Sequence, residues 1–223
     1  MYLALGIAVT ILFYAAFGVL LFWSAGTLNV PAFWIYLGVM TVLCVVSSVY
    51  INVRSPDLVK ERLRPGKGEQ DKVTLTVMWI AFILQGVIAG VDVGRYHWSS
   101  NVPTPIQYAS LILLIAGFVF VLWAMLVNRF FSSAVRIQSD RGQQVIDSGP
   151  YRIVRHPGYT GGMLFLLCSS ITLGSWLSLL PMVVVCLFMI RRTQLEDSML
   201  QKELPGYTEY TKKVRYRLIP GVW

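Results

Sequence analysis

MLFLLCSSITLGSWLSLLPMVVVCLFMI, Met163 to Ile190, is a 28-residue apolar run with Gly174-Ser175 near its middle and Pro181 beyond. It can be read as one tilted membrane helix or as two short helices turning near Gly174–Ser178. The choice fixes which end of the molecule the last thirty residues occupy. Four other apolar runs precede it: Leu3–Trp23, Ala32–Val53, a shorter Val73–Val91, and Ile106–Val127. Each is close to the roughly 20 residues a spanning helix needs. None alternates as a barrel strand would, so helices are expected.

Charge decides between the two readings. With the N-terminus in the cytoplasm and the run folded as a hairpin, 18 of the 19 Lys and Arg face the cytoplasm and only Arg95 lies outside. A single pass would move the seven basic residues of Arg191–Arg217 to the other side. Cytoplasmic loops are enriched in Lys and Arg, so the hairpin is favoured. A limb of about 12 residues reaches only about 18 Å. The hairpin is therefore expected to dip into a roughly 30 Å core rather than cross it, shielded by its neighbours.

Composition agrees with this class. The 223 residues are 56% hydrophobic and 13% charged, against about a quarter charged in soluble domains. The expected fold is an all-α, multi-pass integral membrane protein of about five membrane segments: four spanning helices plus the C-terminal hairpin. Residues 1–127 would form the four-helix region, and 128–223 a C-terminal region with a cytoplasmic pocket. The first run lacks a basic start and reads as a retained anchor. Cys44, Cys168 and Cys186 sit in apolar runs without ligand-like spacing, so no disulfide or metal is implied. The net charge of +8 flanks membrane segments, which points to a bilayer surface rather than nucleic acid. The loop SPDLVKERLRPGKGEQDK and the tail YTKKVRYRLIPGVW read as interfacial for the same reason. Gly86, Gly90 and Gly94 recur every four residues, a pattern of close helix packing. His97-Trp98 marks an interface.

The hairpin brings two polar blocks together at its feet. The first is GPYRIVRHPGYTGG, Gly149–Gly162. Pro150 and Pro157 bias Gly149 and His156 away from helix, and irregular backbone near lipid survives only inside protein or beside a wet cavity. Gly158, Gly161 and Gly162 are expected to leave room for a ligand's close approach. The second is RRTQLEDSMLQKELPGYTEY, read as a helix leaving the hairpin. Arg192 and Glu196 share a face, with a surface ion pair as the plain alternative. Glu196 is expected to face the first block and Asp197 to point elsewhere. Cationic donors, one carboxylate and aromatic faces suit a zwitterionic or cationic cofactor: an ammonium at Glu196, a sulfonium on tyrosine faces.

These residues carry a resemblance. GPYxxVRHPxYxG, then Arg192-x-x-x-Glu196-Asp197-x-x-Leu200, then Tyr207-x-x-Tyr210-x-x-x-Val214 is similar to the signature of isoprenylcysteine carboxyl methyltransferases and the wider group with phospholipid methyltransferases. It covers Gln143 to the end, about the last third, and the first four helices carry no diagnostic motif. The resemblance implies S-adenosyl-L-methionine as cofactor, without a Rossmann domain or a metal. It implies Tyr151, His156, Pro157, Gly158 and Tyr159 at the cofactor, with Gln143, Gln144, Val145 and Ile146 passing the adenosine. Glu196 would meet the amino group and Arg192 the acceptor, while Arg136 or Gln138 would join the pocket. Asp197 stands where a second Glu is common, Leu204-Pro205-Gly206-Tyr207 replaces Gly-x-x-Tyr, and Val214-Arg215 replaces Val-Pro. These departures suggest a bacterial-type branch.

The implied activity is methyl transfer to a lipid-like or small apolar acceptor arriving from the bilayer, carboxyl O-methylation foremost. Phospholipid amine N-methylation and thiol S-methylation are alternatives. An amine acceptor would give Glu196 or His156 a proton to take. An NADPH-dependent membrane reductase on a related scaffold and a non-catalytic membrane scaffold are the readings of other classes.

Overall fold

The computed structural model describes residues 2–56, 59, 72–132 and 136–223. The chain is helical, with no strand among the described residues. Helix α1 is Tyr2–Ala25, α2 Pro31–Arg54, α3 Lys72–Val91 and α4 Thr104–Val127. Helices α5, Pro157–Thr172, and α6, Leu179–Glu203, form a hairpin, and α7 is Tyr207–Lys213. Among the described residues, four segments are long and apolar enough to cross a membrane: Leu3–Ala25, Pro31–Arg54, Lys72–Tyr96 and Thr104–Val127. At most 33% of any of these windows is buried inside the protein. Large apolar side chains such as Leu12, Val19 and Ile112 face outward, as a chain solvated by lipid allows. Most of the loop 55–72 lies outside the described residues.

Small residues set the crossings. A Cβ on Gly90 would stand 2.6 Å from the Leu21 carbonyl oxygen, and one on Gly94 2.4 Å from that of Ala25. The glycine repeat of α3 is thus the groove that receives α1. A Cβ on Gly161 would lie 2.7 Å from the Gly117 oxygen, so α4 and α5 cross with their backbones nearly touching. Between α3 and α5, the buried Gln85 amide donates to the Ser169 and Ser170 hydroxyls, one of the polar ties that hold helices together where lipid offers no hydrophobic drive.

The third apolar run is longer than the sequence suggests. Past Val91 it continues as a π-helical turn, Asp92–Tyr96. The Asp92 carboxylate, fully buried, accepts the Ser99 amide (2.7 Å), the Ser99 hydroxyl and the Ser175 hydroxyl (2.5 Å). Arg95 caps α1 through the Trp23 and Ser24 carbonyls. His97 ends the turn at φ 55°, and Trp98 stacks on Tyr96 at the surface.

Ser175 belongs to the hairpin tip, where Gly174 turns at φ +86°. The tip is therefore fastened to the far ends of α3 and α4. The turn consumes only 173–178, leaving α5 with 16 residues, about 24 Å of helix, and α6 with 25. The α5 limb is longer than the expected length of about 12 residues but still short of a roughly 30 Å core. The hairpin itself stands: the Arg155 and His156 amides donate to the Tyr216 and Arg217 carbonyls at 2.9 Å, so the tail lies at the His156 end.

The glycine groove generates a test. Gly94→Ala should lower detergent-solubilised stability by roughly 1–3 kcal/mol through overpacking. Gly38→Ala, with nothing within 4 Å of the new Cβ, should be neutral or slightly stabilising. Thermal unfolding followed by circular dichroism reads both.

Candidate active site

Pro157 occupies the first turn of α5, where its missing N–H costs nothing. His156 is the residue before the helix, at φ −125°. Ahead of it, Gly149–Arg152 makes one 3-10 turn with Pro150 and Tyr151 buried. The Tyr151 carbonyl accepts the Tyr210 hydroxyl at 2.6 Å, and its own hydroxyl accepts from Asn128. The first polar block is therefore wedged between the end of α4 and α7, and its backbone is irregular only over 153–156.

Its main anchor is Asp197, which the sequence expectation turned away from this block. Asp197 is fully buried. Arg155 meets it with two nitrogens, Nε on Oδ1 at 2.8 Å and Nη2 on Oδ2 at 3.0 Å. The Tyr207 hydroxyl donates to Oδ1, and Gln201 and Arg217 Nε donate to Oδ2. His156 Nε2 stands 3.2 Å from Oδ1. Neighbours on a helix point about 100° apart, and the block wraps α6 far enough to meet both Glu196 and Asp197. Burial alone would raise the Asp197 carboxyl. The hydrogen bonds from His156, Arg155 and Arg217 outweigh burial and hold it well below the usual carboxylate range. Burial, reinforced by the Asp197 charge, pushes the Tyr207 hydroxyl up, so that tyrosine stays a donor.

Glu196 looks the other way round the helix, to Tyr159. The Tyr159 hydroxyl donates to Glu196 Oε2 at 2.6 Å, and the Arg192 guanidinium stands 5.9 Å from the centre of the same ring. One tyrosine thus separates a carboxylate from a guanidinium.

These groups border a cavity of about 330 Å³, within the size range of small-ligand sites. Gln143, Gln144, Val145, Ile146, Tyr151, His156, Gly158, Tyr159, Arg192 and Glu196 all line it, as do Arg136 and Gln138. Pro157 does not; its ring starts α5. Gln143 also serves the loop, accepting the Gln138 amide at 2.6 Å. The glycines do not leave the expected room. A Cβ on Gly158 would meet the Phe131 ring at 2.7 Å, and one on Gly162 the Met189 methyl at 3.1 Å. Protein already fills those spaces. Tyr207 and Tyr210 of the third motif line the cavity too, as do Asn128, Phe130 and Phe131 and Thr74, Leu75 and Met78 of α3, for which the sequence carried no signal. Among the described residues no cluster of His, Cys, Asp and Glu could hold a metal ion.

The Asp197 hub has a signed pH dependence. A carboxyl held low in the folded state contributes stability that is present above its unfolded value, about 3.9, and lost as pH falls toward the folded one. Asp197→Asn should therefore cost roughly 3–5 kcal/mol at neutral pH by stranding two guanidinium groups. That gap should stay level from about pH 8 to 5 and shrink only below about 4. Thermal unfolding of both proteins across pH measures it, with Tyr207→Phe as a milder probe worth about 1 kcal/mol.

Comparison with known proteins follows the same lines. Residues 106–205 match the phospholipid methyltransferase family. A probable protein-S-isoprenylcysteine O-methyltransferase from Oryza sativa subsp. indica is 30% identical over 112 residues, 49% of this chain and 59% of that protein. A counterpart from Oryza sativa subsp. japonica matches equally. The chain thus spans little more than half the length of these curated relatives. The Delta(14)-sterol reductase TM7SF2 of Mus musculus is 38% identical over 92 residues, 39% of this chain and 22% of that protein. In fold, the chain is similar to a eukaryotic intramembrane Ras methyltransferase, isoprenylcysteine carboxyl methyltransferase. The TM-score is 0.57 at 22% identity, over 94% of this chain and 74% of that one. With its two motifs meeting over one cavity, the chain is similar to isoprenylcysteine carboxyl methyltransferases in fold and to the phospholipid methyltransferase family over residues 106–205.

Proposed function

We propose that this protein is an integral membrane methyltransferase that uses S-adenosyl-L-methionine on a lipid-like or small apolar acceptor, with carboxyl O-methylation the leading reaction. The observation that carries this reading is the placement of Tyr159 between Glu196 and Arg192. The donor set fits the cofactor. Glu196 offers a carboxylate to an ammonium, the Tyr159 ring a face to a sulfonium, and the 143–146 segment a wall for a nucleoside. When bound, the cofactor supplies the activated methyl group.

The chain's own work is then positioning and exclusion of water. The Tyr159 hydroxyl aims the Glu196 carboxylate. Arg192, buried beside the ring, is placed to hold an anionic acceptor at a distance from Glu196. An acceptor that arrives as a carboxylate or thiolate needs no base. An amine would need Glu196 or His156 to take its proton. Leu75 and Met78 of α3 and Met189 of α6 make one side of the cavity apolar, and Met78 is 37% exposed. That side is the entry for a greasy acceptor from the bilayer. The basic asymmetry of the chain supports a cytoplasmic polar side and a cytoplasmic approach for the cofactor.

The stretch similar to the mouse sterol reductase favours a second reading, an NADPH-dependent reductase. Binding of S-adenosylmethionine and of NADPH to the purified protein, measured by calorimetry, separates the two. The methyltransferase reading expects S-adenosylmethionine to bind and Glu196→Gln and His156→Ala to weaken it by about tenfold or more. Arg192→Ala should leave cofactor affinity near wild type and reduce turnover with a carboxylate acceptor. NADPH binding alone, or unchanged S-adenosylmethionine affinity in both Glu196→Gln and His156→Ala, overturns the assignment.

A further inference from the structure

The C-terminal tail does more than end near the site; its backbone builds the site. The Tyr216 and Arg217 carbonyls hold the Arg155 and His156 amides. Arg155 Nη1 donates to the Val214 and Arg215 carbonyls at 2.9 and 2.7 Å. Thr160 bonds the Leu218 carbonyl, and Arg217 reaches Asp197. The outer surface of this junction is of a different kind. Arg152, Lys213 and Arg215 are exposed, beside exposed Ile153 and Tyr216 and, further along, Val222 at 75%. Its height in the molecule is fixed by Gly149, whose Cβ would touch Val127 and the Trp123 indole at the last turns of α4. The patch lies at the rim of the spanning bundle, where headgroups begin. Basic and apolar side chains together at that level match an anionic bilayer surface.

We propose that residues 213–223 are a strap that binds anionic lipid headgroups, and that this contact holds Arg155 and His156 in their bonded positions. Affinity at the adjoining cavity then depends on the charge of the surrounding leaflet. The ligand half of this inference rests on the methyltransferase reading; the strap half does not.

The full chain in nanodiscs of phosphatidylcholine, with and without phosphatidylglycerol, tests it. Hydrogen exchange of the Arg155 and His156 amides reads the strap, and S-adenosylmethionine affinity reads the cavity. Anionic lipid should slow the exchange and tighten the affinity by about fivefold or more. Both effects should vanish in the triple variant R152Q/K213Q/R215Q and weaken in high salt. Equal exchange in the two lipids overturns the strap. So does slowing by soluble polyglutamate but not by phosphatidylglycerol, which would make the partner an acidic polypeptide. Slowed exchange without any S-adenosylmethionine binding upholds the strap and sinks the methyltransferase reading instead.

Discussion

The structure of the cavity depends on one buried carboxylate. Asp197 has no exposure to solvent and is surrounded by groups from three separate stretches: Arg155 and His156 before α5, Gln201 and Tyr207 around the end of α6, and Arg217 of the tail. An ion at that depth is costly unless its charge is matched and its lone pairs are filled. Two arginines match it, and the tyrosine, glutamine and histidine complete it. Each donor is useful only where it is, so the arrangement tolerates one geometry. That geometry sets the register of His156, and with it Tyr159 three residues on.

The hairpin is tied at both ends by the same device in two forms. At the tip, Asp92 takes hydroxyl and amide hydrogens from Ser99 and Ser175. At the feet, Asp197 takes guanidinium hydrogens. Between them Gln85 bonds Ser169 and Ser170. In lipid, apolar contact alone does little to fix the vertical position of one helix against another. Three polar ties at three heights do so: those of Asp92 and Gln85 hold the hairpin against α3, and that of Asp197 holds α6 to the start of α5 and the tail. The Tyr159–Glu196–Arg192 arrangement spans two of these helices, so it depends on that fixed height.

What the sequence disclosed follows from which forces are local. The four spanning helices were legible because length and apolarity are properties of single segments. The hairpin was legible because the count of Lys and Arg on each side is a sum over the chain and does not require contacts. Its limbs are longer than expected because both helices run past the apolar stretch, α5 starting at Pro157 and α6 ending at Glu203. The Glu196 side of the site was readable from residue chemistry, and the rest from a family pattern. The surroundings of Asp197 are not legible because four of its five partners lie outside α6. The arginine and histidine before α5 were in view, yet nothing in sequence says that residues 214–217 return to brace them. Glycines carried an ambiguous message, since a missing side chain serves a ligand and a neighbouring phenylalanine equally well.

Under the proposed function the position of the cavity would give each ligand its own route. Its apolar side is lined by Leu75 and Met78 of α3 and Met189 of α6, while its polar side is bounded by the 136–146 loop and α7. A polar cofactor crossing the apolar side would lose hydration without replacement, and a lipid-like acceptor crossing the polar side would expose its chain to water. Each route is closed to the other ligand by solvation alone. Tyr159 stands where the two routes meet, with its ring toward Arg192 and its hydroxyl on Glu196. Under the proposed function a single side chain would contact both ligand positions, and its placement depends on His156, which Asp197 holds from behind. The buried carboxylate that stabilises the fold is in this way also what aligns the two approaches.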